Sequence, residues 1–300
     1  MRADPPTPPA DSDALMRSAV DALLARDLVR ARELIRRAVA IGHVDGALME
    51  AALTANGSGG PADWRAALAL LDVAAASDPV AAAQRALVRA MAIDATGEPT
   101  ATPTGEVLSA SPSIVRYPRL LSPAECAHLA SVAGGLLEPA TVVDPASGRR
   151  IAHPVRTSDG AVIGPAREDL VVRAINLRIA AVSGLPVAHG EPLAVLRYRP
   201  GQQYRPHLDT IAGEANQRVA TVLVYLNEGY GGGETVFPAA GVTITPRGGD
   251  AVMFVNTDAN GRPDERARHA GLPVTRGAKW LATRWIRRAP IDPWTIGAPA

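Results

Sequence analysis

The chain has 300 residues, which is more than one small core needs and suits two modest domains. Its 31 basic and 30 acidic residues nearly balance, so no overall field favours nucleic acid or an anionic membrane surface. The single cysteine, Cys126, excludes an internal disulfide, and no apolar run has the length of a membrane span. Because the first residues also lack the apolar stretch of a secretory signal, we expect a cytoplasmic protein that binds neither nucleic acid nor membrane.

The N-terminal third predicts a tail followed by helices. Residues 1–11 are rich in proline and are predicted to be a disordered tail. Residues 12–94 are dense in alanine, leucine and arginine, with apolar residues at helical spacing, as at Leu34, Ile35 and Ala38. This region is therefore predicted to be helical throughout.

The predicted helices repeat themselves along the chain. A shift of 36 positions superposes apolar residues of the first half on those of the second: Ala31 on Ala67, Leu34 on Leu70, Ile35 on Leu71, Ala38 on Ala74 and Ala47 on Ala83. This pattern predicts two helical hairpins, and the segments "AIGHVDGALMEAAL" and "GSGGPADWRAALALLDVAAA" resemble a Sel1-like repeat, a relative of the tetratricopeptide repeat. Stacked repeats form concave surfaces for proteins, so we expect this region to recruit a substrate or partner, or to pack on the rest of the chain.

Residues 95–112, within "ATGEPTATPTGEVLSASPS", have the proline, threonine and glycine content of a linker, which predicts a domain boundary there. Beyond it, Ser122, Pro123 and Glu125 are the N-cap, first-turn proline and capping-box acid of a helix start. A second amphipathic helix, "GPAREDLVVRAINLRIAAVSG", is predicted to end at Gly184. Cys126 lies on the first of these helices and is predicted to be a small core residue.

After Gly190 the pattern changes to short β-branched and aromatic runs separated by Gly, Pro, Asn and Asp. The runs are "EPLAVLRYR", "QRVATVLVYLN", "GVTITP", "GDAVMFVN" and "AKWLATRWIRR". They predict a β-sandwich or barrel flanked by the two helices, and residues 291–300 are predicted to be a C-terminal tail. The fold class is therefore α+β, with a helical domain before a strand-rich one.

Two histidines and one aspartate have the composition of a metal site. His207 and Asp209 are separated by one residue, so an extended strand would point both to the same face. With the distant His269 they would make the two-histidine, one-carboxylate set that holds Fe(II) and leaves three coordination positions open. A His-x-Asp pair also occurs by chance in many proteins, and the residues alone leave both interpretations open.

Lys279 is the single lysine among the 31 basic residues, ten residues beyond His269. It begins a predicted strand, and an ammonium among inward-facing apolar residues is costly without an anionic partner. A carboxylate ligand would supply that partner. The alternative is a lysine on the outer face, with its charge in solvent.

The motifs of residues 113–290 resemble those of the prolyl 4-hydroxylase family of 2-oxoglutarate- and Fe(II)-dependent dioxygenases. The matching text is "LSPAECAHL", "RTSDG", "YRPGQQYRPHLDT", "RVATVLVYLN", "GGGETVFP", "GDAVMFVN" and "RHAGLPVTRGAKWLATRWI". The resemblance implies a double-stranded β-helix (jelly-roll) barrel at about residues 190–288. It also implies Fe(II), 2-oxoglutarate as cosubstrate, O2, and L-ascorbate as reductant.

The resemblance also implies roles for individual residues. Iron would be held by His207, Asp209 and His269. The distal carboxylate of 2-oxoglutarate would be held by Lys279, Tyr198 and Thr235, as charge-assisted hydrogen bonding allows. The acceptor would contact Arg156, Ser158, Tyr204, Arg218 and Trp285.

Each acceptor residue has a structural alternative. Arg218 could solvate a strand edge, Trp285 could belong to the core, and Tyr204 could pack on its loop. Arg287 departs from the family, which often has histidine two residues after the tryptophan. This departure bears on the identity of the acceptor more than on the chemistry.

Three functions follow from these observations. The first is hydroxylation of proline in a peptide or protein, with decarboxylation of 2-oxoglutarate to succinate. The second is hydroxylation of a free amino acid or small metabolite by the same chemistry. The third is a non-catalytic binding module in which the helical repeats are the working part.

Overall fold

The structure is a computed structural model that describes residues 11–143, 150–152, 155–245 and 247–295. The predicted tails therefore lie outside the described residues at 1–10 and 296–300. The chain divides into two units. The helical unit takes in the chain up to Glu98 together with Pro165–Ala174, and the sheet unit takes in Pro99–Gly164 and the chain from Ile175 onward.

Five helices lie in the N-terminal part of the helical unit, as the amphipathic pattern predicts: α1 (Ser12–Leu24), α2 (Leu28–Ala40), α3 (Val44–Asn56), α4 (Trp64–Ala74) and α5 (Pro79–Ala90). Each begins after a residue whose side chain accepts a hydrogen bond from a backbone N–H of the first turn. These N-cap residues are Asp11, Asp27, His43, Asp63 and Asp78. Short polar side chains at the turns thus set where each helix starts.

The 36-residue shift relates α2 to α4 more closely than α3 to α5. Ala31 and Ala67 are both fully buried, and Ile35 and Leu71 are too. In contrast, Ala47 on α3 is buried while Ala83 on α5 is exposed. The reason is that α3 packs against both α2 and α4, whereas Ala83 lies on a face of α5 turned to solvent.

Two longer helices and sixteen strands are found in the described remainder. The helices are α6 (Pro123–Gly134) and α7 (Leu170–Ser183), and the strands are β1 (Glu106–Ala110), β2 (Ser113–Tyr117), β3 (Glu138–Pro139), β4 (Thr141–Val143), β5 (Arg150–Ala152), β6 (Asp159–Ile163), β7 (Leu193–Tyr198), β8 (Tyr204–His207), β9 (Arg218–Tyr225), β10 (Gly231–Gly232), β11 (Thr235–Phe237), β12 (Val242–Ile244), β13 (Ala251–Val255), β14 (His269–Gly271), β15 (Val274–Arg276) and β16 (Lys279–Arg287). Among these described residues, no helix has the length and apolar character needed to cross a membrane.

The strands form two larger sheets. The eight-stranded sheet has the order β1-β2-β13-β9-β16-β7-β6-β3, and the four-stranded sheet has the order β12-β11-β14-β8. Two small pairs, β10-β15 and β4-β5, complete the described strands. Side chains of both larger sheets meet in one apolar cluster: Ile114, Leu223, Tyr225, Phe237, Ile244, Val252, Phe254 and Leu281. The core of the sheet unit therefore lies between the faces of its two larger sheets.

Both predicted helices of this region are confirmed, with one adjusted start. At α6 the Ser122 hydroxyl accepts from the Glu125 backbone N–H, and the Glu125 carboxylate accepts from the Ser122 backbone N–H at 2.7 Å. Cys126 is buried, and burial raises the pKa of its thiol to about 12, as befits a core residue. The second helix starts later than predicted because Pro165–Arg167 forms a 3-10 turn, and it ends before Gly184, whose φ is +66°.

Part of the predicted linker is a strand. Glu106–Ala110, inside the predicted linker 95–112, forms β1 and pairs antiparallel with β2 at the edge of the sheet. Most of its side chains are exposed, so the backbone pairing holds the strand in place and no apolar alternation marks it in the sequence.

Candidate active site

The three predicted metal ligands converge in the sheet unit. His207 is the last residue of β8 and His269 is the first of β14, and the two are direct partners across the antiparallel ladder. The ligand atoms of His207, Asp209 and His269 all lie within 4.8 Å of one another. Nε2 of His207 is 3.5 Å from Oδ1 of Asp209, and Nε2 of His269 is 4.0 Å from Oδ2.

Strand pairing, more than strand alternation, produces this convergence. The sequence predicted that His207 and Asp209 share one face of an extended strand, but β8 ends at His207 and Asp209 lies in the bend that follows. That part of the prediction is wrong. The cross-strand register brings the two imidazoles together, and the bend after β8 places the Asp209 carboxylate beside them.

Hydrogen bonds to the backbone orient both imidazoles. Nδ1 of His207 is 2.8 Å from the carbonyl oxygen of Arg205, and Nδ1 of His269 is 3.1 Å from that of Ala267. A carbonyl oxygen can only accept, so Nδ1 donates in each ring and Nε2 is the nitrogen that faces Asp209. Both Nε2 atoms are thus ready to bind a metal ion.

The protonation states suit metal binding as well. Burial lowers the pKa of His269 to about 4, so this imidazole is neutral at pH 7. Burial of Asp209 alone would raise its pKa, but its contact with His207, the nearby His269 and the Thr221 hydroxyl together hold it well below the usual value. An ionised carboxylate beside a neutral imidazole is the form that binds a divalent cation.

Thr221 and Asn256 support the carboxylate from behind. The Thr221 hydroxyl donates to Oδ2 of Asp209 at 2.6 Å, and the Asn256 amide donates to the Thr221 oxygen at 2.9 Å. Thr221 is fully buried and both partners are nearly so. This chain of hydrogen bonds fixes which way the carboxylate faces.

Replacing Thr221 with valine is expected to weaken divalent metal binding by roughly 10- to 100-fold, because the Asp209 carboxylate loses its orienting donor while the side-chain volume stays the same. Titration of the metal-free protein with Co(II) measures the effect. The matched control is Thr243→Val on the exposed face of β12, which should bind Co(II) within about twofold of the wild type. Equal affinity in both variants would show that Thr221 does not orient the ligand.

Aromatic rings enclose the two histidines. The Tyr204 ring stacks on the His207 ring with centroids 3.4 Å apart and 12° between their planes. The His269 ring contacts Phe237 and Phe254, with centroid distances of 5.2 and 4.6 Å. These contacts limit ring rotation and keep water from one side of the site.

Lys279 is inside the sheet unit. Its side chain is 2 % exposed, and its Cα partner on β7 is Tyr198, so the outer-face alternative is wrong. Nζ donates to the Gly233 carbonyl oxygen at 2.7 Å and lies 5.6 and 5.3 Å from the ring centroids of Tyr198 and Tyr225. Within the part of the chain that the structure describes, no carboxylate is in ion-pair contact with it, and burial lowers its pKa to about 8. The ammonium is thus a buried cation with donors to spare for an anionic ligand.

Thr235 and Tyr198 line the same recess as Lys279. The Tyr225 hydroxyl donates to the Thr235 oxygen at 2.8 Å, which leaves the Thr235 proton available for a ligand. Burial raises the pKa of both tyrosines, so they stay neutral. Tyr225 was not predicted from sequence, although alternation along "RVATVLVYLN" places it on the same strand face as Thr221.

One recess contains the metal-ligand candidates and the cation together. Its lining is Leu196, Tyr198, Tyr204, His207, Asp209, Leu223, Thr235, His269, Gly271, Lys279, Leu281, Thr283 and Trp285. Both larger sheets contribute. Along β16 the alternate residues from Lys279 to Trp285 face into it, as the period of a strand requires.

Four of the five predicted acceptor residues line this recess or the groove beside it. Tyr204 and Trp285 line both the recess and an adjoining groove, and Arg156 and Arg218 line the groove. The Arg156 guanidinium is 5.7 Å from the Tyr204 ring centroid. Ser158 is 1 % exposed and is in neither lining. Among the described residues, the Trp285 indole N–H is buried without a hydrogen-bond partner.

Arg218, Trp285 and Tyr204 each line the groove and each also makes a structural contact. Arg218 is partly buried and donates two hydrogen bonds of 2.7 Å to the Glu191 carboxylate, so it does not merely solvate an edge. Its guanidinium lies 4.1 Å from the Trp285 ring centroid at the groove. Tyr204 packs on a metal-ligand candidate. Glu191 was not predicted from sequence, because its partners lie far away along the chain.

Part of the chain matches a family model and known proteins in sequence. The family model of the 2OG-Fe(II) oxygenase superfamily matches residues 193–287. Prolyl 4-hydroxylase 1 of Arabidopsis thaliana is 40% identical over 202 residues, which cover 61% of this chain and 71% of that relative. The chain belongs to the prolyl 4-hydroxylase family of 2-oxoglutarate- and Fe(II)-dependent oxygenases.

Other relatives match a similar share of this chain, about three fifths of its length. Probable prolyl 4-hydroxylase 3 of Arabidopsis thaliana is 38% identical over 205 residues, 60% of this chain and 71% of the relative. The viral collagen prolyl hydroxylase of Paramecium Bursaria Chlorella virus-1, solved with 2-oxoglutarate, is 28% identical, with a TM-score of 0.47 over 59% of this chain and 96% of that chain. A Pseudomonas putida prolyl 4-hydroxylase structure is 24% identical, with a TM-score of 0.43 over 59% of this chain and 92% of that chain. The matched family model begins after the helical unit.

Members of this oxygenase family use Fe(II), 2-oxoglutarate and O2, and ascorbate is the typical reductant of prolyl hydroxylases. The residues of this chain fit that set. Two imidazole nitrogens and one carboxylate converge on one point, which suits Fe(II) and leaves further coordination positions open. The buried Lys279 ammonium suits the distal carboxylate of a dicarboxylic acid.

Proposed function

We propose that this protein hydroxylates proline in a peptide or protein, using Fe(II), O2 and 2-oxoglutarate. The observation that carries the proposal is the placement of His207, Asp209 and His269 in the same recess as the buried Lys279. His207, Asp209 and His269 would hold the iron. Lys279, Thr235 and Tyr198, which line the same recess, would hold the distal carboxylate of 2-oxoglutarate.

The bound iron supplies oxidative chemistry in which decarboxylation of 2-oxoglutarate to succinate is coupled to hydroxylation of a C–H bond, with ascorbate as reductant. The protein supplies the geometry. Lys279 neutralises the carboxylate, and the Thr235 hydroxyl, itself accepting from Tyr225, donates a further hydrogen bond. Leu196, Leu223 and Leu281 line the recess and exclude water from it.

Binding of 2-oxoglutarate is expected to weaken as the pH rises through about 8. Burial lowers the pKa of Lys279 to about 8, so the ligand-free protein loses its anchoring charge above that value and must take up a proton to bind. The Kd of the Mn(II)-loaded protein should be level near pH 7 and should rise up to about tenfold per pH unit well above 8. Calorimetric titration across this range measures it. Lys279→Arg is the control because guanidinium does not titrate there, and a wild-type Kd level to pH 9.5 would contradict the assignment.

The groove beside the recess supports a peptide acceptor. Its volume of about 410 Å³ lies within the range of small-molecule pockets, so size alone admits either a peptide segment or a small molecule. The Trp285 indole N–H lines the groove and is buried without a hydrogen-bond partner among the described residues, so it offers a donor for a peptide carbonyl group. The curated relatives are prolyl 4-hydroxylases, which favours proline as the residue modified.

Incubation with Fe(II), ascorbate, 2-oxoglutarate and a library of proline-rich peptides tests the acceptor. Mass spectrometry should show a gain of one oxygen on proline, with one succinate formed for each hydroxyl. Parallel incubations contain free proline and other free amino acids. Oxygen gain on free amino acids and on none of the peptides would replace the peptide proposal with the small-molecule one.

We further propose that the two larger sheets form a double-stranded β-helix and that residues 12–94 are a pair of Sel1-like repeats that recruits the protein substrate. The matched burial of α2 and α4 supports the repeat, and the shared core between the sheets supports the barrel. The oxygenase domain would span 113–290, and the protein would act in the cytoplasm. A full-length target should then have a lower KM than a short peptide cut from it.

A further inference from the structure

Two arginines lie directly opposite each other beside the acceptor groove. Arg218 on β9 and Arg287 on β16 are Cα partners in the ladder between these strands. Their side chains are 18% and 10% exposed. Like charges in directly opposed positions destabilise a sheet, and burial increases the repulsion. The pair therefore needs a shared counterion.

Glu191 is that counterion. Its carboxylate is 3% exposed and accepts from Nε and Nη2 of Arg218, each at 2.7 Å. One of its oxygens also accepts from Nε of Arg287. Arg218 holds the carboxylate from one side and Arg287 holds it from the other, through charge-assisted hydrogen bonds.

This cluster of three residues contacts both sides of the active site. Nη1 of Arg218 donates to the backbone carbonyl of Asp209 at 3.3 Å, and its guanidinium stacks on Trp285. The backbone N–H of Glu191 donates to the Trp285 carbonyl at 2.8 Å. The position of the Glu191 carboxylate therefore affects a metal-ligand candidate and an acceptor contact at once.

Arg287 has further contacts that fix it in place. Its Nη1 donates to the Asn216 carbonyl at 2.8 Å and lies 3.7 Å from the Glu214 carboxylate. Both residues belong to the segment that joins Asp209 to β9. Arg287 thus ties this segment to Glu191, and a shorter or uncharged side chain could not make both contacts.

We propose that Arg287 is a positioning residue for the acceptor: it holds Glu191 so that Arg218 and Trp285 keep the acceptor in line with the metal. The inference rests on the proposed hydroxylase function. It predicts that loss of Arg287 harms acceptor binding and the coupling of succinate formation to hydroxylation, while the 2-oxoglutarate end of the recess is untouched. Lys279 and Arg287 lie at opposite ends of β16, which separates the two effects.

The test compares Arg287→Gln with Arg288→Gln. The Arg288 guanidinium is exposed and donates to the Gly261 carbonyl, away from the groove, so this variant is the matched control. Arg287→Gln leaves Arg218 and Glu191 as a balanced pair. We expect it to bind a fluorescent proline-rich peptide about 10- to 100-fold more weakly in the Mn(II)-loaded protein, to form more than one succinate per hydroxyl, and to keep its 2-oxoglutarate KM within about twofold.

Arg287→Lys is measured in the same way and carries the test if the glutamine variant does not fold. Lysine keeps the positive charge but lacks the planar, forked guanidinium that contacts Glu191 and Asn216 together, so peptide binding should again weaken. Unchanged peptide affinity and coupling in the folded variant would overturn the inference, as would an equal rise in the 2-oxoglutarate KM. Absence of iron-dependent succinate in the wild type would instead refute the proposed function, so the two failures are distinguishable.

Discussion

Replacing His207 with alanine is expected to abolish iron-dependent succinate formation. Loss of a residue that supports a ligand costs roughly 10- to 100-fold, so loss of a ligand itself should lower kcat/KM for 2-oxoglutarate by more than about 100-fold. The remaining His269 and Asp209 offer two donors, too few to fix the ion at neutral pH. Succinate release and iron content after dialysis measure the loss.

The control for this variant is His128→Ala, which removes a histidine from α6 without touching the site. It should retain activity within about twofold. Equal activity of His207→Ala and the wild type would show that His207 does not bind the metal. A wild type that releases no succinate would favour the third function, a non-catalytic module built on the helical repeats.

Replacing Lys279 with methionine is expected to raise the Kd for 2-oxoglutarate by about 150-fold to several thousand-fold. The distal carboxylate would enter a buried recess without its counterion, and removing one partner of a buried ion pair costs roughly 3–5 kcal/mol. Thr235 and Tyr198 would remain, but neutral donors cannot replace a full charge. Calorimetric titration of the Mn(II)-loaded variant measures the Kd.

The same variant should unfold at a higher temperature than the wild type when no ligand is present. Burial lowers the pKa of Lys279 from 10.5 to about 8, which means that the folded protein disfavours the charged form by roughly 3 kcal/mol at pH 7. The sign follows from linkage: the folded state binds fewer protons between these two values, so this cost is present at pH 7 and fades as the pH rises through the interval. A variant that binds 2-oxoglutarate normally, or that loses both affinity and stability, would contradict the role of Lys279 as an anchor.

The residues that could be predicted from sequence are those with a local or compositional signal. His207 and Asp209 stand one residue apart, and Lys279 is conspicuous as the single lysine of the chain. The capping box at Ser122 and Glu125 is complete within four residues, so the start of α6 is predictable from short-range chemistry alone.

The residues that were missed act through contacts that are distant along the chain. Glu191 meets Arg287 across 96 positions, and Asn256 reaches Thr221 across 35. No local pattern marks such a pairing. The predicted linker includes β1 because the exposed side chains of this strand show no alternation, although its backbone pairs with β2.

The reason for the convergence of the metal ligands was also non-local. Sequence alternation predicted that His207 and Asp209 would meet on a strand, whereas the register between β8 and β14 and the bend at Asp209 bring them together. Register depends on every pair in the ladder, so one segment cannot specify it. The sequence thus predicts the three ligand residues, but only the folded structure shows how their side chains meet.

The most direct test is a crystal structure of the protein grown without oxygen in the presence of Fe(II) and 2-oxoglutarate, with data collected at the iron absorption edge. We expect one anomalous peak within about 2.3 Å of Nε2 of His207, a carboxylate oxygen of Asp209 and Nε2 of His269. The distal carboxylate of 2-oxoglutarate should accept a hydrogen bond from Nζ of Lys279. A peak elsewhere, or a cosubstrate whose carboxylate avoids Lys279, would contradict the proposed active site.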